Sequence, residues 1–263
     1  MQEDKFKNKD GAQLRQQLSS IKIEDRGVQF TLTPEYVREN MYCAVINTEK
    51  NEKLLERCPH KPFVDLSVVA KCDLGSGRSL FVTEEFVQLL RMSGEEIVEH
   101  AKLNSEKAGY TCQNLGDVIE SVLADTFMSK DEIREIQEIR QVSDDEYPMY
   151  VLTTPREVDG AAVMVSKKYL QEVHNKFGED FYVLPSSRHE VMAVPVSRAP
   201  ELPDLKELVR TVNTMEVQER DRLSNEVYYY DGKKLQLADE RVATQENTMT
   251  ETLSQEKSHC IRH

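Results

Sequence analysis

The sequence predicts an α+β fold with mostly antiparallel sheets flanked by helices, and three observations support this prediction. Short apolar segments with the spacing of strands recur along the chain. Segments with helical periodicity lie between them, and several follow a Ser or Thr that can cap a helix. Glycine-containing turns place neighbouring apolar segments close enough for antiparallel pairing. A chain of 263 residues can form one sizeable domain or two smaller ones.

Four segments in the first half read as strands. Val28–Leu32 alternates apolar and polar residues, which is typical of a half-exposed strand. Residues 41–46 form a second candidate. Residues 66–74 are apolar almost throughout, and the turn at 75–77 leads back into a fourth strand at 79–82. The last two segments are therefore expected to form a hairpin.

Helical patterns follow. Ser93 and Glu96 have the spacing of a capping box, so a helix is expected to begin there. Apolar residues at 115, 118, 119, 122 and 123 predict another helix, and the segment 129–132 predicts the start of a third. This strongly acidic region separates the two strand-rich halves. It is either a solvated connector with one buried stripe or an interaction arm, and the solvated connector is the favoured interpretation.

The second half repeats the mixture of strands and helices. Ser166 is expected to cap a helix that Gly178 ends. A second helix is expected to begin at Asp204, with Glu207 at the capping-box position. The predicted strands are residues 149–153, 161–165, 181–184 and 191–194, and a closing hairpin of 226–231 and 233–237 turns at Gly232.

One pair of segments suggests an internal duplication. Residues 80–88 align without gaps on residues 163–171, each with the end of an apolar strand, a Thr or Ser cap and an aromatic–aliphatic pair. The pattern predicts either two copies of a β-β-α unit that face each other across a cleft or two ordinary strand–cap–helix junctions. The chain then divides into a flexible leader (1–12), an N-terminal α+β lobe (13–112), an acidic helical connector (113–147), a C-terminal α+β lobe (148–237) and a flexible polar tail (238–263).

Charge and composition argue against several classes of partner and location. The formal net charge of −13 disfavours nucleic acids and anionic membrane surfaces, because both require a cationic footprint. No apolar run approaches the length of a membrane span, and the charged first residues contain no hydrophobic signal segment. The five cysteines are scattered and form no C-x-x-C pair, as expected of reduced thiols in a cytoplasmic protein. No motif predicts a cofactor or a metal.

The loop between the segments 181–184 and 191–194 contains the candidate site, because a polar tip on two buried strands is held rigidly. His189 could act as a base, with Ser186 or Ser187 near the reacting centre and Glu190 orienting the ring. Arg188 is a candidate binding residue. The favoured interpretation is an ordinary turn, because no G-x-S-x-G motif accompanies these residues.

A second polar cluster precedes the strand at 66–74. His60 and Asp65 are candidate binding residues there, and Cys58 is two positions before His60. Cys-x-His is at most half of a metal site, and no second pair has matching spacing. A loop with an ordinary buried cysteine is the favoured interpretation.

Several segments together resemble a bacterial family known as domain of unknown function 5688. They are residues 46–55, 59–67, 149–153, 184–191 and 223–231. The resemblance implies a bacterial cytosolic protein that is accessory to mobile or niche-specific gene sets. It implies no activity, so no catalytic residue is carried over from the family.

The sequence therefore favours a non-catalytic binding or regulatory protein whose partner is another protein. A groove between the lobes, or an exposed edge strand such as Val28–Leu32, would bind that partner. The alternatives are a hydrolase or transferase that uses His189 with Ser186 or Ser187, and an accessory or immunity-type protein whose acidic charge masks a basic partner.

Overall fold

The computed structural model describes residues 19–124, 149–185 and 187–240. This part of the chain contains helices and three sheets with antiparallel pairing, so the predicted α+β class is confirmed. It divides into two compact units, with the boundary in the sequence between Gly109 and Tyr110. The predicted leader, the helix expected from residue 129 and most of the predicted tail lie outside the described residues.

The first unit begins with a two-stranded hairpin. Strand β1 (Ile21–Asp25) pairs antiparallel with β2 (Val28–Leu32), which confirms the strand predicted there. Arg26 and Gly27 form the turn with φ of 50° and 77°. Two residues with positive φ give the turn the twist that a tight hairpin needs, and glycine adopts this conformation without strain.

The sheet of the first unit is built around its longest strand, β5 (Leu66–Gly75). Strand β3 (Met41–Asn47) pairs with it along its length, while β4 (His60–Phe63) and β6 (Arg78–Phe81) pair with different parts of it. The helices of this unit are α1 (Pro34–Asn40), α2 (Glu52–Leu55), α3 (Glu84–Leu90) and α4 (Gly94–Ala108). The predicted capping box of Ser93 and Glu96 begins α4.

Helix α4 covers the outer edge of β3. Ser105 Oγ accepts the Cys43 N–H at 2.9 Å, and Asn104 Nδ2 donates to the Met41 carbonyl at 2.9 Å. An edge strand covered by a helix cannot pair with a further chain. The edge of this sheet is therefore protected by side chains of the same unit.

The strands of the second unit are β7 (Thr111–Asn114), β8 (Tyr150–Thr153), β9 (Phe181–Leu184), β10 (Glu190–Pro195), β11 (Tyr228–Tyr230) and β12 (Leu235–Leu237), and α5 (Leu115–Ala124) follows β7. These strands form a six-stranded antiparallel sheet in the order β12-β11-β9-β10-β8-β7. Helix α6 (Lys167–Phe177) runs from its Ser166 cap to Gly178, as predicted, and α7 (Leu202–Met215) packs on the opposite face with Leu205 and Val209 buried.

Two predictions about the second unit are wrong. The apolar run expected as a strand at 161–165 is a buried 3-10 helix, Gly160–Val165. Its first five residues are buried, and a continuous apolar run does not distinguish a strand from a buried helical turn. Helix α7 begins at Leu202, two residues earlier than expected, because Pro203 is accommodated in the first turn.

The internal duplication is not confirmed. In the gapless alignment, the strand that ends at Phe81 is matched with the 3-10 helix Gly160–Val165. What the two segments share is the junction of a Thr or Ser residue with the helix that follows it. A side chain at that position precedes many helices for local reasons, so the similarity does not require a repeated β-β-α unit.

Candidate functional site

The polar loop between β9 and β10 is held by main-chain hydrogen bonds to two distant segments of the second unit. The Arg188 N–H donates to the Asp221 carbonyl at 2.8 Å. On the other side, the Gly160 N–H donates to the His189 carbonyl at 3.0 Å and the Ala161 N–H to the Arg188 carbonyl at 3.1 Å. Because its backbone groups are bonded on both sides, the loop is a well-anchored turn.

Gly160 allows the close approach of the loop to strand β8. A Cβ atom at this position would lie 2.1 Å from Thr153 Oγ1 and 2.3 Å from the His189 carbonyl oxygen. The Thr153 hydroxyl donates to that same carbonyl at 2.7 Å. Only a residue without a side chain fits between these atoms.

The Arg188 guanidinium lies between two carboxylates. Its Nε is 2.8 Å from Asp221 Oδ1, and its Nη1 is 3.8 Å from Asp159 Oδ1. The side chain of Asp159 is 1% exposed and that of Asp221 is 13% exposed. A buried carboxylate needs such a charged partner, and Arg220 Nε lies 3.5 Å from Asp221 Oδ2 as a second one. Because both guanidinium groups face carboxylates, the group is suited to holding the loop in place and unsuited to binding an anion.

The ring of His189 is oriented by its neighbours. Its Nδ1 accepts the Asp159 N–H at 3.4 Å, and its Nε2 lies 3.6 Å from Asp221 Oδ1. The Arg188 Nε–H also faces Nε2 at 3.3 Å, so each ring nitrogen has an N–H donor of the protein next to it. A neutral imidazole has one acceptor nitrogen, and in either tautomer its basic lone pair meets one of these donors. The ring is consequently poorly placed to remove a proton from a substrate.

The remaining candidates of the loop differ in their surroundings. Ser187 is buried, and its Oγ accepts the His189 N–H at 3.0 Å. This contact is a local turn interaction in which the hydroxyl faces the backbone of His189. Glu190 is the first residue of β10 and lies opposite Thr153. Ser186 lies outside the described residues.

His60 and Asp65 belong to a different hairpin, in the first unit. His60 opens β4, where its Nδ1 lies 2.9 Å from the Cys58 carbonyl oxygen. Asp65 lies in the turn between β4 and β5. His60 and Phe63 are three residue steps apart along the strand, which corresponds to about 10 Å of extended chain. The two candidate binding residues are thus at opposite ends of one strand.

A second cluster of titratable groups in the second unit was missed by the sequence analysis. His174 Nε2 lies 3.1 Å from Asp180 Oδ1, and the Tyr229 hydroxyl donates to Asp180 Oδ2. Because a carboxylate accepts hydrogen bonds, Nε2 of the neutral ring carries the proton. The three residues come from α6, the start of β9 and β11, so no local motif could have predicted them. The cluster ties the end of α6 to the sheet.

The hairpin β1–β2 offers a different kind of site, a strand edge. In the described part of the chain, each of its strands has the other as its sole ladder partner. Its inner face contacts β6 through Arg78, whose guanidinium is 5.9 Å from the centre of the Phe30 ring and whose Nε is 3.8 Å from Asp25 Oδ2. The side chains at positions 22, 24, 29 and 31 are exposed on its outer face. Among the described residues, the outer edge of β2 therefore has no strand paired with it.

Other features of the described residues add little to these sites. None of their His, Cys, Asp and Glu residues form a group of three or more that could hold a metal ion. An open cavity of about 530 Å³ runs along α7, away from the candidate residues; its lining is Pro203, Glu207, Arg210, Thr211, Thr214 and Met215. No helix in the ranges described has the length and apolar character needed to cross a membrane.

The fold and the anchored loop define an α+β protein with two compact units and antiparallel sheets. The chain belongs to the family of unknown function DUF5688, whose model matches residues 12–232. This match confirms the resemblance found in the sequence. No curated protein and no solved structure matches the chain.

Proposed function

We propose that this protein is a non-catalytic binding or regulatory protein of the bacterial cytoplasm, and that it binds an extended segment of a partner protein at the outer edge of β2. One observation carries the proposal. Among the described residues, Val28–Leu32 pairs with β1 alone and leaves its second edge open. The strand contains no charged residue and no proline, so nothing in its own sequence blocks a further strand.

The register of the hairpin determines which backbone groups of β2 are available. Asp25 and Val28 flank a two-residue turn and form the first bonded pair of the ladder. Bonded and non-bonded pairs alternate in an antiparallel ladder, so the N–H and C=O groups of Gln29 and Thr31 point away from β1. These groups would form main-chain hydrogen bonds with an added strand. The alternate side chains of that strand would determine which partner is bound.

In the described part of the chain, three of the other edge strands are less suited to strand addition than β2. The edge of β3 is occupied by Ser105 and Asn104 from α4. On β7, Lys176 Nζ donates to the Cys112 carbonyl at 3.1 Å. Strand β12 has three residues, which is too short for a strong strand addition. The acidic net charge of −13 favours a basic partner, as in an immunity-type or accessory protein.

A proline at Thr31 tests the proposal. It removes the outward N–H and leaves the ladder between β1 and β2 intact, so the hairpin should keep its fold. We expect a photo-reactive residue at position 29 to crosslink a partner in a native lysate, and Thr31→Pro to remove that product. Thr31→Val, which retains the N–H, should preserve it. A photo-reactive residue at Glu172, on α6, is the control position.

Two results would contradict the proposal. One is that the same proteins crosslink from position 29 and from Glu172, since the capture would then be non-specific. The other is that Thr31→Pro leaves the product unchanged, since the bonding groups of β2 would then have no role.

The second candidate function is a hydrolase or transferase that uses His189 as a base with Ser186 or Ser187. The proximity of Asp221 to the His189 ring favours it, because a carboxylate commonly orients a catalytic histidine. Two contacts argue against it: the Asp159 N–H donates to Nδ1 of the ring, and the Ser187 hydroxyl accepts the His189 N–H. It predicts that His189→Gln abolishes hydrolysis in a panel of ester and phosphoester substrates. The binding proposal predicts no hydrolysis by the unmodified protein.

A further inference from the structure

The exposed face of β1 bears two charges of opposite sign, one on each side of Ile23. Lys22 and Glu24 are both exposed, while Ile21 and Ile23 are half-buried on the inner face. In the described part of the chain, the outer edge of β1 has no ladder partner. We propose that this edge pairs antiparallel with the β1 edge of a second copy of the chain, about a twofold axis at Ile23.

The charges specify one register for this pairing. With the axis at Ile23, Lys22 lies opposite Glu24 of the other copy, and the same pair occurs a second time by symmetry. Opposite charges across a ladder stabilise it, and like charges destabilise it. A two-residue shift in one direction places Lys22 opposite itself, and a shift in the other direction places Glu24 opposite itself. Both alternatives bring like charges together, so a single arrangement is favoured.

The backbone of β1 fits the same register. Ile21, Ile23 and Asp25 lie opposite Leu32, Phe30 and Val28 in the bonded pairs of the hairpin. The N–H and C=O groups of Lys22 and Glu24 therefore point outward, and these are the two residues that the twofold axis places opposite each other. Each such pair exchanges two main-chain hydrogen bonds. The result is a continuous four-stranded sheet in the order β2-β1-β1-β2.

This interface is independent of the proposed partner site. It uses β1, and it leaves the outer edge of β2 free at both ends of the joined sheet. The interface is isologous, so pairing closes with two copies and does not extend into a fibre. The dimer and the partner complex can therefore be tested separately.

Charge reversal followed by sedimentation equilibrium tests the proposal. We expect a reversible monomer–dimer equilibrium. Lys22→Glu and Glu24→Lys should each weaken the dimer on the order of tenfold, because each replaces two attractive pairs by two repulsive ones. The double variant Lys22→Glu/Glu24→Lys restores opposite charges and should dimerise like the natural sequence.

Mixing the two single variants gives a sharper result. One variant then has Glu at both positions and the other has Lys at both, so an equimolar mixture should form a heterodimer although neither variant dimerises well alone. A matched control is Lys167→Glu, a charge reversal at an exposed residue of the second unit, which should leave the equilibrium unchanged. Far-UV circular dichroism verifies that each variant is folded.

Three outcomes would overturn the inference. The first is a protein that stays monomeric up to several hundred micromolar. The second is a dimer that both single charge reversals leave unchanged. The third is a mixture of the single variants that forms no heterodimer. Loss of the dimer in Thr31→Pro would also contradict it, because that change affects the other edge of the hairpin.

Discussion

Replacing Gly160 by alanine is expected to destabilise the second unit strongly. The added Cβ would lie 2.1 Å from Thr153 Oγ1, 2.3 Å from the His189 carbonyl oxygen and 2.8 Å from Thr153 Cα. Two of these three atoms belong to the backbone and cannot move aside by a rotation. The loop or strand β8 must therefore shift by about an ångström before the methyl group reaches ordinary contact distances.

The size of the effect follows from what that shift disrupts. Three hydrogen bonds meet at this point, from Gly160 N–H and the Thr153 hydroxyl to the His189 carbonyl, and from Ala161 N–H to the Arg188 carbonyl. Each contributes about 1 kcal/mol, and overpacking a tight site costs about 1–3 kcal/mol. Gly160→Ala should therefore lower the free energy of unfolding by about 4–6 kcal/mol, a large part of the roughly 5–15 kcal/mol typical of a domain.

Urea unfolding followed by far-UV circular dichroism measures this change, because the chain contains no tryptophan to report it by fluorescence. Hydrogen exchange of peptides from each unit shows where protection is lost, since the two units need not unfold together. Gly94→Ala is the matched control. Gly94 lies in the first unit, where its Cβ would be 3.1 Å from Pro59 Cβ of the same unit, and alanine favours the helix there, so we expect a change within about 1 kcal/mol. A Gly160→Ala protein as stable as the natural one would refute the reasoning.

Two further perturbations probe the interior of each unit. Asn213 is buried in α7, and its Nδ2 donates to the Ser224 carbonyl at 2.8 Å and to Asn225 Oδ1 at 2.9 Å. Asn213→Ala should therefore cost about 2 kcal/mol in the free energy of unfolding, and an unchanged urea midpoint would contradict this role. In the first unit, burial and then the charge of Asp73 raise the pKa of the Cys72 thiol to about 12. Because the unfolded thiol ionises near 9, stability should fall as pH rises from about 9 towards 12, and Cys72→Ala should show a shallower fall in the same titration.

Local patterns predicted most of the elements because their causes are local. The alternation at Val28–Leu32, the Ser93–Glu96 capping box and the Gly178 stop act within a few residues, and the structure confirms each of them. The segment 161–165 forms a helical turn where a strand was expected, and most of its residues are buried. In that situation the apolar pattern loses its period and no longer distinguishes a strand from a helical turn.

For the candidate site, the sequence predicted the loop but not the residues that contact it. The loop was found from the sequence, because a polar tip between two apolar strands is a local feature. The partners of Arg188 and His189 were not found, since Asp159 and Asp221 are about thirty residues away on either side. The same holds for the His174–Asp180–Tyr229 cluster.

By itself, the sequence determined the α+β class, the position of most strands and helices, the acidic charge and the location of the polar loop. Tertiary structure alone decided that His189 is held between a backbone N–H and Asp221, that Gly160 must lack a side chain, and which strand edges of the described residues lack a partner strand. The physical reason is that capping, turns and periodicity depend on neighbours in the chain. Hydrogen-bond partners, ion pairs and unpaired edges depend on groups that only folding brings together.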